Sequence, residues 1–172
     1  MPEVERQGSW LRGGLFLIIA AFVIALDQIS KLWVRSNLGL YETMPVIGCL
    51  SLTYVRNTGS AFGFFANQAF LLTLVAIVGL VAILLFYRYL SKSNILGISA
   101  LGLVFGGAVG NLIDRIRFGY VIDFVDVRLW RDFHWPAFNV ADSAITVGSI
   151  MLAVFIFLIF RKGDGSSSKA RS

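Results

Sequence analysis

Four apolar runs decide what this chain can become. They occupy residues 15–34, 69–89, 95–113 and 144–160, each close to the ~20 residues an α-helix needs to cross a hydrocarbon core. A spanning segment has no water to satisfy its backbone N–H and C=O groups, so runs of this length fold as helices with internal hydrogen bonds. The chain is 57% hydrophobic and 15% charged, with a mean hydropathy of +0.77, which excludes an ordinary soluble domain. The expected class is an all-α integral membrane protein. It forms one membrane domain over 1–172, with four transmembrane helices near 15–34, 69–89, 95–113 and 142–160.

The formal net charge of +5 does not point to nucleic acid, because the 15 Lys and Arg residues are spread over loops and ends instead of gathering on one face among aromatics. The lone Cys49 excludes an intrachain disulfide and a Cys-based zinc site. The basic, Gly/Ser-rich end over 163–172 is expected to be disordered. At the other end, charges precede an apolar run as in a secretory signal. That run continues through Val34 without a small-residue cleavage box, which suits an uncleaved span.

Polar residues punctuate the spans. In the first, Asp27 and Lys31 stand i,i+4, an ion pair that satisfies itself or snorkels to the headgroups and has a mainly structural meaning. In the third, Gly102, Gly106 and Gly110 recur every four residues beside Gly107 and Ala108, so another backbone can approach closely. At its end Asn111, Asp114 and Arg115 share a face. The helix dipole disfavours an acid there, so Asp114 needs Arg115, Arg117 or a buried donor to hold it.

The connections carry the remaining signals. Val46, Ile47, Leu50, Leu52, Tyr54 and Val55, punctuated by Pro45 and Gly48, read as short strands of a small sheet on the membrane surface. Asn57-Thr58-Gly59-Ser60-Ala61-Phe62-Gly63-Phe64-Phe65 follows, which composition alone makes a tight turn before interfacial phenylalanines. Residues 117–140 hold Asp123, Asp126, Arg128, Arg131, Asp132 and His134, with Trp130 and Trp135 as interfacial anchors. They read as an amphipathic, membrane-hugging segment.

Two acids stand out. Asp142 lies at the mouth of the last span, and an ionisable residue at membrane depth is a functional-site candidate by default. The plainer reading makes Asn139 the N-cap and Asp142 the N3 residue that complements the helix end. Asp123, between Ile122 and Phe124, could bridge to Arg115 or Arg117. If the two carboxylates meet, repulsion and desolvation raise one pKa and the pair shares a proton. The ionised member can then take a proton from water attacking a peptide carbonyl while the protonated member polarises that carbonyl.

Other chemistries fit less well. Ser143 and His134 lack a nucleophile elbow, and one His with scattered acids makes a poor zinc site, although carboxylates and waters could hold Mg²⁺. A transporter or proton relay through Asp27, Asp114, Asp123 and Asp142 should show internal repeats and broken helices, and neither is visible in the sequence. With four spans both termini share one side and both long loops the other. Lys and Arg divide eight to seven between these sides, but the eight sit in short segments near helix ends, which puts the termini in the cytoplasm.

Taken together, Asp27-Gln28-Ile29-Ser30-Lys31, Asn57-Thr58-Gly59-Ser60-Ala61-Phe62, the run from Gly106 through Asn111 to Asp114-Arg115, Val121-Ile122-Asp123-Phe124 and Phe138-Asn139-Val140-Ala141-Asp142-Ser143 resemble the bacterial lipoprotein signal peptidases, or signal peptidase II. The resemblance implies an aspartic endopeptidase of the cytoplasmic (inner) membrane. Its substrates are prolipoproteins carrying a lipobox, cut just before a diacylglyceryl-modified cysteine. Asp123 and Asp142 match the catalytic pair. Asn57, Asn111, Arg115 and Asn139 match polar residues that line the site, Asp27 and Lys31 match a mainly supporting pair, and Gly59 and Asp114 are counted with them as substrate-binding or supporting residues. It further implies a β-cradle and a membrane-surface helix on the extracytoplasmic side, an active site near the outer-leaflet interface, contact with membrane lipid and inhibition by globomycin-type cyclic peptides. No cofactor or metal is expected, and the chain is expected to act as a monomer.

Overall fold

The structure, a computed structural model, describes residues 3–59, 69–90, 94–131 and 133–169. Its elements are α1 (Glu3–Asn37), β1 (Thr43–Ile47), β2 (Leu50–Asn57), α2 (Ala69–Leu90), α3 (Ile95–Phe118), β3 (Val121–Trp130), β4 (Phe133–Phe138) and α4 (Val140–Lys169). Four helical stretches are long and apolar enough to cross a membrane: Gly13–Asn37, Phe70–Arg88, Ile95–Phe118 and Val140–Arg161. They confirm the four expected spans and lengthen three of them. The third runs on past Ile113, so Asp114 and Arg115 are helical residues.

α3 is the centre of the bundle, and its glycines explain why. A Cβ on Gly102 would meet the Phe16 carbonyl at 3.2 Å, and one on Gly106 would meet the Ala20 carbonyl at 2.8 Å, so both glycines admit α1. On another side Gly107 is pressed against the Ala141 carbonyl and Ile145 of α4, and Gly148 of α4 returns the contact at Ala100. Such small-residue contacts let helices pack where lipid supplies no hydrophobic drive. α2 is peripheral, and no residue of its apolar window is fully buried. It meets the bundle through Tyr87, whose ring lies 4.6 Å from that of Phe16.

α3 ends at Gly119, which takes φ 77° and donates its N–H to the Arg115 carbonyl at 3.0 Å. A left-handed residue here closes the helix and reverses the chain, so β3 starts directly at the end of α3. The sheet is antiparallel in the order β1-β2-β3-β4. Val34 of α1 and Leu38 just beyond it pack with Tyr54, Ile122 and Phe124 into a core that seats this sheet on the end of the bundle. A polar row crosses all four strands, running from Thr43 to Thr53 at 2.9 Å, to Asp126 at 3.0 Å and to His134 at 2.6 Å.

The strands expected over 46–55 are present. The segment expected to hug the membrane over 117–140 folds as β3 and β4, so the surface helix that the resemblance implies is not among its described residues. Val121-Ile122-Asp123-Phe124-Val125-Asp126-Val127 is rich in β-branched residues, and its partner strand pairs Trp135 with Val127, a cross-strand contact that favours strand over helix. The Ser60 to Phe65 stretch with its phenylalanine cluster lies outside the described residues. α4 continues to Lys169, through most of the 163–172 stretch expected to be disordered. Extending a formed helix costs little per residue.

Because Gly107 meets backbone and not a yielding side-chain tip, Gly107→Ala should push α4 off α3. We expect a destabilisation of about 1–3 kcal/mol, read as a lower thermal midpoint in detergent. Gly79→Ala, which has open space on α2, should be neutral or stabilising by up to about 1 kcal/mol.

Candidate active site

The site is built around one buried ammonium. Lys31 is 2% exposed, and its Nζ lies 2.9 Å from Asp27 Oδ2, 3.0 Å from Asp114 Oδ2 and 2.9 Å from Asn111 Oδ1. Three N–H donors thus meet three acceptors. The pair expected to satisfy itself or snorkel does neither alone: it is sealed inside the bundle and shared between α1 and α3. Asp114, disfavoured by its own helix dipole, is held by Lys31, by the Gln28 amide at 3.1 Å and by the Ile122 backbone N–H at 3.0 Å. Of the partners offered from sequence, the buried donor is the one found, and no ion pair to Arg115 or Arg117 forms.

Each arm of this network fixes a different element. Asp27 Oδ1 accepts the Ala141 N–H at 3.0 Å, setting a carboxylate at the N-terminus of α4. Asp114 anchors Ile122 and therefore the residue after it, Asp123. Asn111 is oriented by the cation: an ammonium only donates, so the amide oxygen faces Lys31 and the Nδ2 faces outward, 2.8 Å from Asp142 Oδ1.

Asn139 joins the two acids. Its Nδ2 donates to Asp123 Oδ1 at 2.7 Å and lies 3.1 Å from Asn111 Oδ1, and its Oδ1 accepts the Asp142 N–H at 2.9 Å. Asp142 Oδ2 in turn accepts the Asn139 N–H at 3.1 Å. This reciprocal arrangement is a capping box, so the N-cap and N3 geometry read from sequence is present. It also leaves Asp142 facing the same cavity as Asp123. Asp123 is 2% exposed and bonds no arginine; Asn57 Nδ2 reaches its Oδ2 at 2.8 Å, and the Gly59 N–H holds the Asn57 oxygen at 3.0 Å.

A cavity of about 560 Å³ lies over the pair, lined by Asn57, Gly59, Arg115, Asp123 and Asp142 together with residues 135–138 of β4 and its junction and 143, 145–147 of α4. Asn111, Asn139, Asp27, Lys31 and Asp114 stand behind this surface and not in it. Burial, reinforced by the charge of Asp142, pushes the Asp123 carboxyl up to about 7 from 3.8, against the opposing hydrogen bonds of Asn57 and Asn139. An acid so placed can hold a proton at neutral pH beside a second carboxylate.

The rival constellations are not assembled. His134 is bonded to Asp126 on the exposed face of the sheet, and Ser143 Oγ donates to the Asn139 carbonyl at 3.0 Å. Among the described residues no three His, Cys, Asp or Glu side chains gather with metal-ligand spacing. Sequence reasoning missed two features. Gln28 ties Asp27, Asp114 and the Gly110 carbonyl together, and its place i−3 from Lys31 was the available clue. The β4 wall from Trp135 to Phe138 followed from pairing that the sequence did not announce.

Fold and site define a multi-pass membrane protein with two carboxylates converging where helices meet a small sheet. Residues 19–158 match a family model described as signal peptidase (SPase) II. The lipoprotein signal peptidase of Syntrophotalea carbinolica is 49% identical over 142 residues, covering 80% of this chain and 88% of that one. That of Pseudomonas paraeruginosa is 41% identical over 173 residues, covering 96% and 99%. A bacterial membrane enzyme solved by the in meso method at 2.3 Å resolution superposes with a TM-score of 0.74 at 31% identity, over 84% of this chain and 88% of the other. The chain belongs to the signal peptidase II family.

Removing the central ammonium leaves two carboxylates without their counter-charge. Lys31→Met should destabilise the fold by about 3–5 kcal/mol, visible as a large drop in thermal midpoint. The paired change Lys31→Met with Asp114→Leu should recover part of that loss.

Proposed function

We propose that Asp123 and Asp142 are the acid–base pair with which this aspartic-type peptidase, which removes signal peptides from prolipoproteins, activates water. The observation that carries the assignment is the inequality of two carboxylates in one cavity. Asp123 is buried and pushed up to about 7, whereas Asp142 is half-buried at the cavity wall and fixed through both oxygens.

In this reading Asp142 takes a proton from a water molecule as its oxygen attacks the scissile carbonyl carbon. Protonated Asp123 donates a hydrogen bond to the carbonyl oxygen as negative charge develops there. When the tetrahedral species collapses, the C–N bond breaks and the proton held by Asp142 passes to the leaving amine. The new carboxyl end leaves with the signal peptide, and the pair returns to a single shared proton. Arg115, half-buried at the cavity wall, is placed to hold a substrate carbonyl in its planar fork. The titration belongs to the pair.

The substrate bears a diacylglyceryl cysteine on the amine side of the cut. Supporting this, the cavity reaches Thr146 and Val147 on the exposed face of α4 within its span. A second, almost wholly apolar groove lined by residues of α1, α3 and α4 shares Ser143 and Val147 with it. A lipid-modified peptide can enter from the bilayer with acyl chains alongside the reacting bond. Both termini are cytoplasmic, the site lies near the outer-leaflet interface of the inner membrane, and the chain works as a monomer that globomycin-type cyclic peptides can occupy.

Asp123→Asn and Asp142→Asn should each lower cleavage of a diacylglyceryl-modified precursor by at least about a hundredfold, with thermal midpoints retained and no effect of a chelator. Near-normal cleavage by either folded variant would refute the assignment.

The acid must be protonated, so cleavage is present below the Asp123 value of about 7 and declines as pH rises through it. Asn57 lowers that value by hydrogen bonding. Asn57→Ala should therefore move the alkaline limb of the kcat/KM profile to higher pH.

A further inference from the structure

Outside the catalytic cavity, three arginines from three elements converge on one string of aromatic rings. Arg35 closes α1, Arg117 lies in the last turn of α3 and Arg56 stands on β2. The guanidinium carbons of Arg35 and Arg117 lie 4.5 and 5.4 Å from the centroid of the same ring, Phe118. Phe118 stacks on Tyr120 at 5.8 Å, and Arg56 lies 4.9 Å from the Tyr120 centroid and 5.8 Å from that of Tyr54. All three arginines are exposed.

Their charge has no protein counter-charge among the described residues: the ion pairs there are those of Lys31 and His134. The acids close in sequence are engaged elsewhere, Asp114 with Lys31, Gln28 and Ile122, and Glu42 with the Gly39 N–H at 2.6 Å. A basic residue at a helix C-terminus complements the dipole, which accounts for Arg35 and Arg117 singly. It does not account for two guanidiniums on one ring, and Arg56, arriving from the sheet, donates to the Tyr54 hydroxyl at 3.3 Å, a partner that carries no counter-charge. Like charges gathered this way repel unless an anion joins them.

The surroundings say which anion. Leu32, one turn below Arg35, is 65% exposed, so the side chain under this part of the cationic group lies on the outer surface of the apolar span of α1. Between α1 and α3 runs a small crevice of about 50 Å³, walled by Leu32, Arg35, Arg117 and Phe118 over a floor that includes Lys31 and Asp114. Charge sits directly above apolar surface, which is the polarity of a phospholipid. Planar guanidiniums match the phosphodiester oxygens bidentately.

We propose that Arg35, Arg56 and Arg117 form a binding site for the phosphodiester headgroup of an anionic phospholipid, whose acyl chains lie along the exposed face of α1 at Leu32. The site rests on different residues from the catalytic pair, and its floor is the charge network that supports that pair.

The test is lipid retention, which needs no peptidase activity. The protein is placed in nanodiscs of phosphatidylglycerol and phosphatidylcholine in equal parts and released for native mass spectrometry. Wild type should retain phosphatidylglycerol over phosphatidylcholine by about tenfold. Arg35→Gln with Arg117→Gln should abolish the preference, whereas Arg128→Gln with Arg131→Gln, an equal change of charge on the β3 hairpin, should keep it. Arg56→Gln, a single exposed change on β2, should weaken the preference and serves if the double variant does not fold. Equal retention of both lipids by wild type, or a preference that survives loss of Arg35 and Arg117 or disappears in the hairpin control, would overturn the proposal. A free phosphate site is the remaining alternative: displacement of the lipid by inorganic phosphate, but not by chloride of equal ionic strength, would overturn the lipid assignment.

Discussion

Everything at the reacting end of this molecule depends on the Lys31 ammonium being buried with its donors fully used. An isolated cation at that depth would be far too costly to desolvate, and Asp27 and Asp114 provide the compensation from two helices. The compensation is directional. The second oxygen of Asp27 takes the first-turn Ala141 N–H of α4, and the Asp114 oxygen that meets Lys31 also takes the Ile122 N–H of β3. One ion cluster therefore sets the relative position of α1, α3, α4 and the sheet, and nothing in it needs to touch substrate.

Amide side chains pass that order to the carboxylates at the cavity. Asn111 and Asn139 each carry a donor and an acceptor on one rigid plane, so once the acceptor end is committed the donor end has a fixed direction. Asn111 commits its oxygen to Lys31 and aims its nitrogen at Asp142; Asn139 commits its oxygen to the Asp142 N–H and aims its nitrogen at Asp123. The acids are held apart in environment although they share a cavity. Asp123 sits in the hydrophobic junction of β2 and β3, and Asp142 sits on the first turn of a helix. An unequal pair is what water activation requires, and the fold produces it by drawing one member from a strand and the other from a helix.

The sequence was most legible where one physical rule dominates. Apolar length alone predicts the spans, and the small-residue spacing of Gly102, Gly106 and Gly110 marks the close face of α3. Asp142 announced itself because a carboxylate at a span mouth is costly, and the capping relation with Asn139 followed from a local spacing. Long-range pairing was not legible. Nothing local to Asp27 or Lys31 indicates that further partners lie in α3, so spacing gave the pair a mainly structural meaning without showing which elements it joins. The same holds for β3 and β4: tryptophans and mixed charges over 117–140 marked an amphipathic, membrane-hugging segment but not its strands, which form by pairing between β2 and β3 across two intervening spans. Asn57 read as a turn former because its contact with Asp123 exists only once that pairing has formed.

The inequality of the two acids can be read directly, without substrate, from the carboxyl ¹³C shift of Asp123 followed over pH in wild type and in Asp142→Asn. The account requires a wild-type midpoint near 7. In the variant the midpoint falls, because one of its two raising causes is gone, yet stays above the ordinary carboxylate range because burial remains. A wild-type midpoint near 4, or one that does not respond to loss of the Asp142 charge, would contradict the shared-proton pair.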